Sequence, residues 1–573
     1  MAHDLDSSSK SGAAHGRGRR MRRLAASVYG VVAAAMATTH ALAAEEVVLR
    51  LKGGNFQVQG TLLSFDGKSY VVMSSQIGTL SLFADRFECI GQACRLTTPA
   101  QPAPPAREAL PAGSAAATIA GPARLSLAVP LSTSPTLMPD LIKGWIAGAG
   151  GSIVREVGAE TGEMRLRVLA RGGAEMVRFA IQRRDAAAAF AALQSGSADI
   201  VVTDRRIDDV EAKALAPVAG DMRSAQRESV LALDALAVVV APENPLTSLS
   251  IADISRIFSG QVNDWADLGQ PAGRIKVYTS DTSTGPGGIF DAHVLRPGGR
   301  TLAASTVRLA SSEAVAEAVS QERFSIGVTA FADMRSAKPV NIVQSCGLIT
   351  NASAFAIKTE EYPLSRRIYL YTSRMPAGEA ARAFLDFVAT PAGQDIVSDH
   401  QLVDQRLVAL AMDGQTARFA HAVNRQPRTA NAQLPRLLAE LAGARRTSMT
   451  IRFESGTSQI DSKSQNDLKA LVEHVAGSQA KGARVMLLGF TDNVGGAPKN
   501  AALAAKRAAQ ARTALLATAA GRIEPARVVA SGHETLAPIA CDDTERGRQL
   551  NRRVEVWLRD EAAAPRTPAA SGP

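Results

Sequence analysis

Short, largely apolar runs punctuated by turn residues fill the stretch from Val47 to Leu82. Residues 47–51, 56–58, 61–63, 70–73 and 79–82 read as short strands, and Gly53-Gly54 and Asp66-Gly67 supply turns. They predict a small β module over residues 44–97, for which an SH3-like barrel is one form. From 124 to 413 the pattern changes. Apolar runs at 125–129, 177–181, 199–202, 236–240, 275–278 and 326–328 alternate with helical periodicity, which predicts α/β sheets with helices on both faces. A third pattern over 448–560 reads strand, helix, strand, helix, strand, strand. Residues 98–123, rich in Pro and Ala, read as a linker. So do 414–447, apart from a short amphipathic stretch at 434–441, and 561–573 read as a disordered tail. The fold class is multidomain α/β.

Arg17, Arg19, Arg20, Arg22 and Arg23 precede an apolar run over 24–38 and then Ala41-Leu42-Ala43. A basic start, a short apolar stretch and small residues at alternate positions predict a secretory signal peptide over 1–43. The run is short and alanine-rich for a membrane span, and no later segment approaches 18 uninterrupted apolar residues. The leader holds six basic and two acidic residues, so +6 of the formal charge of +10 belongs to the rest of the chain. That modest excess does not point to nucleic acid, and an aromatic content of 4% is too low for base-stacking platforms.

Export permits disulfides, and Cys89 and Cys94 are spaced for a small loop-closing bridge. Cys346 and Cys541 are either free or bridge two domains; the sequence leaves both open. His293, His400, His421, His474 and His533 stand alone, without a pair at metal-ligand spacing, so neither metal nor cofactor is expected. Gly285-Pro286-Gly287-Gly288 lacks the Lys-Ser/Thr of a nucleotide-binding loop, and no serine sits in a nucleophile elbow. An enzyme is not expected.

One series of residues is specific: Asp234 to Val240, Glu243-Asn244-Pro245-Leu246, Ile257-Phe258-Ser259-Gly260, Asn263-Asp264-Trp265 and Leu268-Gly269. With Gly196-Ser197-Ala198-Asp199-Ile200, Asp204 and Phe324-Ser325-Ile326-Gly327, it resembles the periplasmic phosphate-binding proteins of ABC importers over most of 124–413. The resemblance implies a two-lobed type II periplasmic-binding, or Venus-flytrap, domain. It also implies an oxyanion held by Thr136 and the Leu137 amide, by Thr284 and Gly285, and by Asp204 as acceptor for a protonated phosphate. Three positions depart from the family. Ser280 replaces a clamping arginine, Pro286 replaces a threonine, and Ala186 replaces a serine. Arg183, Arg184, Arg205 and Arg206 are the nearby candidates to restore positive charge.

Gly489-Phe490-Thr491-Asp492-Asn493-Val494-Gly495, Lys506-Arg507-Ala508 and Asn551-Arg552-Arg553-Val554 closely resemble the OmpA C-terminal domain. That family binds the diaminopimelate residue of peptidoglycan, which requires a carboxylate for an ammonium and a guanidinium for a carboxylate. The resemblance assigns these roles to Asp492 and Arg507, while Arg552 and Arg553 are expected to brace the sheet and the neighbouring loop. Asn500 and Arg507 are seven apart and share one helix face, with the small Ala504 between them. The expected protein is periplasmic and peptidoglycan-associated, with the outer membrane side of the envelope as one placement. It captures phosphate or a related oxyanion, with an ABC importer complex as a further partner. The alternative is a structural or sensory envelope protein whose flytrap binds another ligand or a protein.

Overall fold

The computed structural model describes residues 46–560 apart from 53–56, 66–68, 75–77, 85–86, 92–93, 95–122, 132, 149, 159–161, 281–289, 373–377, 426–432, 455–456, 458, 478–479 and 481. The expected signal peptide at 1–43, the first linker up to 122, Thr284, Gly285, Pro286 and the tail 561–573 lie outside the described residues.

Five antiparallel strands, Glu46–Leu51, Gln57–Phe65, Ser69–Ser74, Gly78–Phe83 and Phe87–Gly91, form the N-terminal sheet. The two strands expected at 56–58 and 61–63 are one, which absorbs its irregularity as a register shift between Leu62 and Ser64. Among the described residues no ladder joins Gly78–Phe83 to Phe87–Gly91, and the order runs Gly78–Phe83, Ser69–Ser74, Gln57–Phe65, Glu46–Leu51, Phe87–Gly91.

The apolar runs expected after residue 124 appear as strands Ala123–Pro130, Glu175–Arg184, Ile200–Thr203, Glu228–Val240, Lys276–Ser280 and Ser325–Ala330. They divide between two cores. One contains Leu127, Phe179, Ile200, Leu370 and Phe384, and the other Val238, Phe258, Trp265, Ile326 and Tyr362. Two long strands cross between these lobes. Glu228–Val240 pairs along its first half with Ser365–Thr372, from Glu228 opposite Tyr371 to Ala235 opposite Ser365. Ser365–Thr372 continues into the first lobe against Ile200–Thr203, while 236–240 pair with Ser325–Ala330 of the second lobe. This is the two-lobed architecture that the resemblance implied.

The C-terminal sheet has the order Ala409–Leu410, Ala444–Arg452, Arg553–Arg559, Arg484–Phe490, Val528–Gly532. Helices Ser462–Ala476 and Ala497–Ala519 cover one face through Leu468, Leu471, Ala511 and Leu515. Glycine sets the second helix close to the sheet. A Cβ on Gly489 would lie 2.2 Å from the Ala504 carbonyl oxygen, and one on Gly532 would lie 2.4 Å from the Ala505 nitrogen.

The segment 414–447, expected to be a linker, is instead largely helical. Thr416–Arg425 and Gln433–Glu440 bury Phe419, Val423, Leu434, Leu437 and Leu438. These side chains fill the space between Val47, Leu49 and Phe87 of the N-terminal sheet and Met486, Leu488 and Trp557 of the C-terminal one. Burial of that apolar surface fixes the segment as part of a shared core. Cys89 is bonded to Cys94, and Cys346 to Cys541. The second bond joins the flytrap's second lobe to the loop after strand Val528–Gly532. Among the described residues, no helix is long and apolar enough to cross a membrane.

Burial lowers the pKa values of His293, His421 and His533 to about 4, from an ordinary value of 6.5. Between these values the unfolded chain binds protons that the folded chain does not, so stability is fully present above pH 6.5 and is lost as pH falls towards 4. The thermal midpoint should fall steadily from pH 6.5 to 5, above the range where carboxylates titrate. A flat profile there would show that these rings are hydrated.

Candidate functional site

The register of the strands defines a cleft. Ile200–Thr203 runs parallel to Ala123–Pro130, with Ile200 opposite Leu127, so Asp204 and the loop at 131–136 leave the same carboxyl edge. Thr203 stands opposite Tyr369, which stands opposite Val230. In the other lobe, Lys276–Ser280 runs parallel to Ser325–Ala330, and Ala330 stands opposite Leu236. The two sets of strand ends therefore face one another across the middle of the crossover strands. Asp234 and Arg366 are register partners in that middle stretch. Carboxyl ends of parallel strands are where open α/β sheets take ligands, because helix N-termini and loops converge there.

Arg366 ties the floor together. Its Nη1 donates to Asp204 Oδ2 at 3.0 Å, while Nε and Nη2 donate to Asp234 Oδ2 at 3.1 and 2.9 Å. The sequence reading did not single out Arg366. Its signal was the pair Arg366-Arg367 in a strand, whose period of two sends one guanidinium to each face. Arg367 turns the other way, to Glu360 Oε2 at 2.8 Å and Asp461 Oδ2 at 3.4 Å.

The other expected residues fare differently. Thr136 is exposed before helix Leu137–Ala147, its hydroxyl 3.0 Å from Ser134 Oγ, and the Leu137 amide donates to the Ser134 carbonyl at 3.3 Å. Arg183 Nη2 donates to the Thr133 carbonyl at 3.0 Å and props that loop. Arg184 is held by Gln182, Arg205 by Glu211, and Arg206 by Glu228 and Glu454. Ser280 is buried at the end of its strand, and Ala186 opens a helix capped by Asp185. The structure thus joins Asp204 to Arg366 and Asp234 and sets Thr136 on the same sheet edge. Arg183, Arg184, Arg205 and Arg206 each have protein partners.

The second site lies where strand Arg484–Phe490 ends. Asp492 is buried; its Oδ1 accepts from the Val494 amide at 3.1 Å, and its carbonyl accepts from Asn500 Nδ2 at 3.3 Å. Helix Ala497–Ala519, seated on the two glycines, carries Asn500 and Arg507 over this loop. The Arg507 guanidinium stands 5.8 Å from the Phe453 ring centre, and its buried Nη1 has no hydrogen-bond partner. Burial and then the neighbouring Arg552 lower the Arg507 pKa, against an opposing pull from Asp492. A guanidinium with an unused donor, beside a carboxylate, suits a ligand that carries both charges.

Arg552 braces the neighbouring loop, the one that carries Asp492. Its Nη1 donates to Asp492 Oδ2 and its Nη2 to Glu545 Oε1, each at 2.6 Å. Glu545 opens the helix Glu545–Asn551, an element the sequence pattern did not show. Arg553 does brace the sheet, donating to the Ala537 carbonyl at 2.6 Å and to Glu555 Oε1 at 2.8 Å from Nε. Among the described residues, no group of three or more His, Cys, Asp or Glu is placed to hold a metal ion.

Residues 157–392 match the model of the PBP superfamily domain, and residues 452–552 match that of the OmpA family. The phosphate-binding protein PstS of Borreliella burgdorferi is 24% identical over 31% of this chain and 66% of its own length. The phosphate-binding protein PstS of Pseudomonas aeruginosa is 27% identical over 39% and 72%. The outer membrane porin F of Pseudomonas fluorescens is 30% identical over 22% of this chain and 36% of its own. Among solved structures, an ABC-type phosphate transport receptor from Vibrio cholerae is 18% identical, covering 49% of this chain and 99% of that one, with a TM-score of 0.38. The chain thus spans just under two thirds of the Borreliella relative.

Proposed function

We propose that this chain, which joins a PBP superfamily domain to an OmpA family domain, is a cell-envelope binding protein held non-covalently on peptidoglycan. The observation that carries the anchoring half is the Arg507 guanidinium, whose buried Nη1 has no hydrogen-bond partner, within electrostatic reach of Asp492 and Arg552. Both families are typically non-enzymatic. The flytrap captures phosphate or a related oxyanion in the periplasm, in a cleft floored by Arg366 between Asp204 and Asp234. There Asp204 accepts a hydrogen bond from the hydroxyl of a hydrogen phosphate, and an ABC importer receives the cargo. In this reading Arg366 supplies the cation missing at Ser280, and residues 1–43 direct export.

A specific observation favours a second reading. Arg366 already serves two carboxylates, which leaves little net positive charge for a dianion. The flytrap of a structural or sensory envelope protein with a different ligand or a protein partner would fit that balance. Calorimetry on the full chain with phosphate, sulfate and molybdate separates the readings. If phosphate binds, Asp204→Asn should weaken it about 10- to 100-fold, the usual scale for a hydrogen bond to a charged group, and should narrow the preference over sulfate. No heat with phosphate up to millimolar concentration would exclude the oxyanion reading and leave the second.

A further inference from the structure

The C-terminal domain contacts the hinge and both lobes. At the first lobe, Arg206 makes paired hydrogen bonds to two carboxylates. They go to Glu228 at 2.8 and 2.8 Å, and to Glu454 of the C-terminal domain at 3.2 and 2.7 Å. Glu228 is fully buried where the first crossover strand begins, and it also accepts from Tyr371 at 2.7 Å and from the Ser462 hydroxyl. Burial opposes the charge on Arg206, yet the hydrogen bonds to Glu228 and Glu454 outweigh it and raise its pKa. At mid-hinge, Arg367 reaches Asp461, the residue that caps helix Ser462–Ala476.

At the second lobe the C-terminal domain holds more firmly. Arg452 donates to Glu360 at 3.2 Å and to the Thr359 carbonyl at 2.8 Å, and Arg446 pairs with Glu361 at 2.5 Å. Arg546 donates to the Ser365 carbonyl at 3.1 Å and lies 3.1 Å from His293 Nδ1. Cys346–Cys541 makes this side covalent, with the Cys541 amide donating to Gln344 at 3.1 Å.

We propose that the C-terminal domain is a splint for the flytrap, bolted to the second lobe and latched to the first, which holds the two lobes at a fixed opening. A swing of the first lobe about the crossover strands would carry Arg206 and Glu228 away from Glu454 and Ser462. That strips Arg206 of one of its two carboxylates, leaves Glu454 unpaired and takes the Ser462 hydroxyl from buried Glu228, whereas an unsplinted flytrap changes its opening at the cost of its cleft contacts alone. The latch sits close to the cleft, since Arg206 and the cleft residue Asp204 share one loop. The splint is a property of the chain with no ligand bound, so it stands or falls independently of what the cleft takes.

The test uses the full chain with spectroscopic labels on unnatural residues at exposed Val218 in the first lobe and Phe324 in the second, leaving the cysteines intact. The wild-type chain should give one narrow inter-lobe distance distribution. Glu454→Gln combined with Ser462→Ala removes the latch from the C-terminal side without touching the cleft, and should broaden the distribution at least twofold. Circular dichroism and retention on peptidoglycan report that this variant is folded. If it is not, Cys346→Ser with Cys541→Ser and Arg452→Gln loosens the other end and should broaden the distribution likewise. A broad wild-type distribution overturns the splint. So does a narrow one that persists in a folded, unlatched variant.

Discussion

Arg507→Ala should release the folded protein from purified peptidoglycan, and Asp492→Asn should do the same. Each change leaves one charge of the diaminopimelate zwitterion without its partner, which costs about 2–5 kcal/mol in a desolvated pocket, or roughly 30- to 5000-fold in affinity. Folding should survive both. Arg507 contacts Phe453 without a hydrogen bond from Nη1, and asparagine keeps an oxygen for the Val494 amide. The double variant should bind little worse than either single one, because both residues act on one ligand. Arg552 adds a further expectation. It occupies Asp492 in this structure, so an incoming ammonium must displace or share it, and Arg552→Gln should not abolish retention as Arg507→Ala does. Sedimentation with peptidoglycan, with circular dichroism alongside, decides the matter. Undiminished sedimentation of folded Arg507→Ala and Asp492→Asn would reduce the pair to surface charges.

Glu555→Ala should be the most destabilising single change in the C-terminal half. The carboxylate is fully buried and accepts from Arg418 Nη1 and Arg553 Nε, each at 2.8 Å, and from Trp557 Nε1 at 3.0 Å, while Arg446 Nε stands 3.3 Å away. Three guanidiniums thus share one carboxylate, with Glu361 as a second counter-charge for Arg446. Burial lowers the Arg553 pKa to about 9 despite the pull of Glu555. Removing one partner of a buried ion pair costs about 3–5 kcal/mol, because the remaining charge is left uncompensated. Urea unfolding followed by Trp557 fluorescence should show the midpoint fall sharply for Glu555→Ala, and nearly as far for Glu555→Gln. An unchanged midpoint would mean that water reaches the cluster.

The two α/β units were legible because their apolar runs carry period and length, and their motifs lie in continuous stretches of sequence. The residues missed share a different property: their roles depend on partners far along the chain. Arg366 reads as one of two charges in a strand until the register sets it against Asp234 and Asp204. Arg552 reads as a brace, but its second partner, Glu545 on a helix of seven residues, is visible only in the structure. The segment 414–447 looked like a linker because its helices are short and partly polar. Its buried Arg418 owes its place to Glu555, 137 residues away.

The pairing of the cysteines follows the order in which they leave the ribosome. The first joins the second and the third joins the fourth. In a chain exported from its N-terminus, Cys89 and Cys94 can be oxidised together early, which removes both from competition. Cys346 then waits through 195 residues for the one thiol left to it. If residues 1–43 direct export as proposed, an oxidase that joins thiols as they appear would make both bonds without later reshuffling.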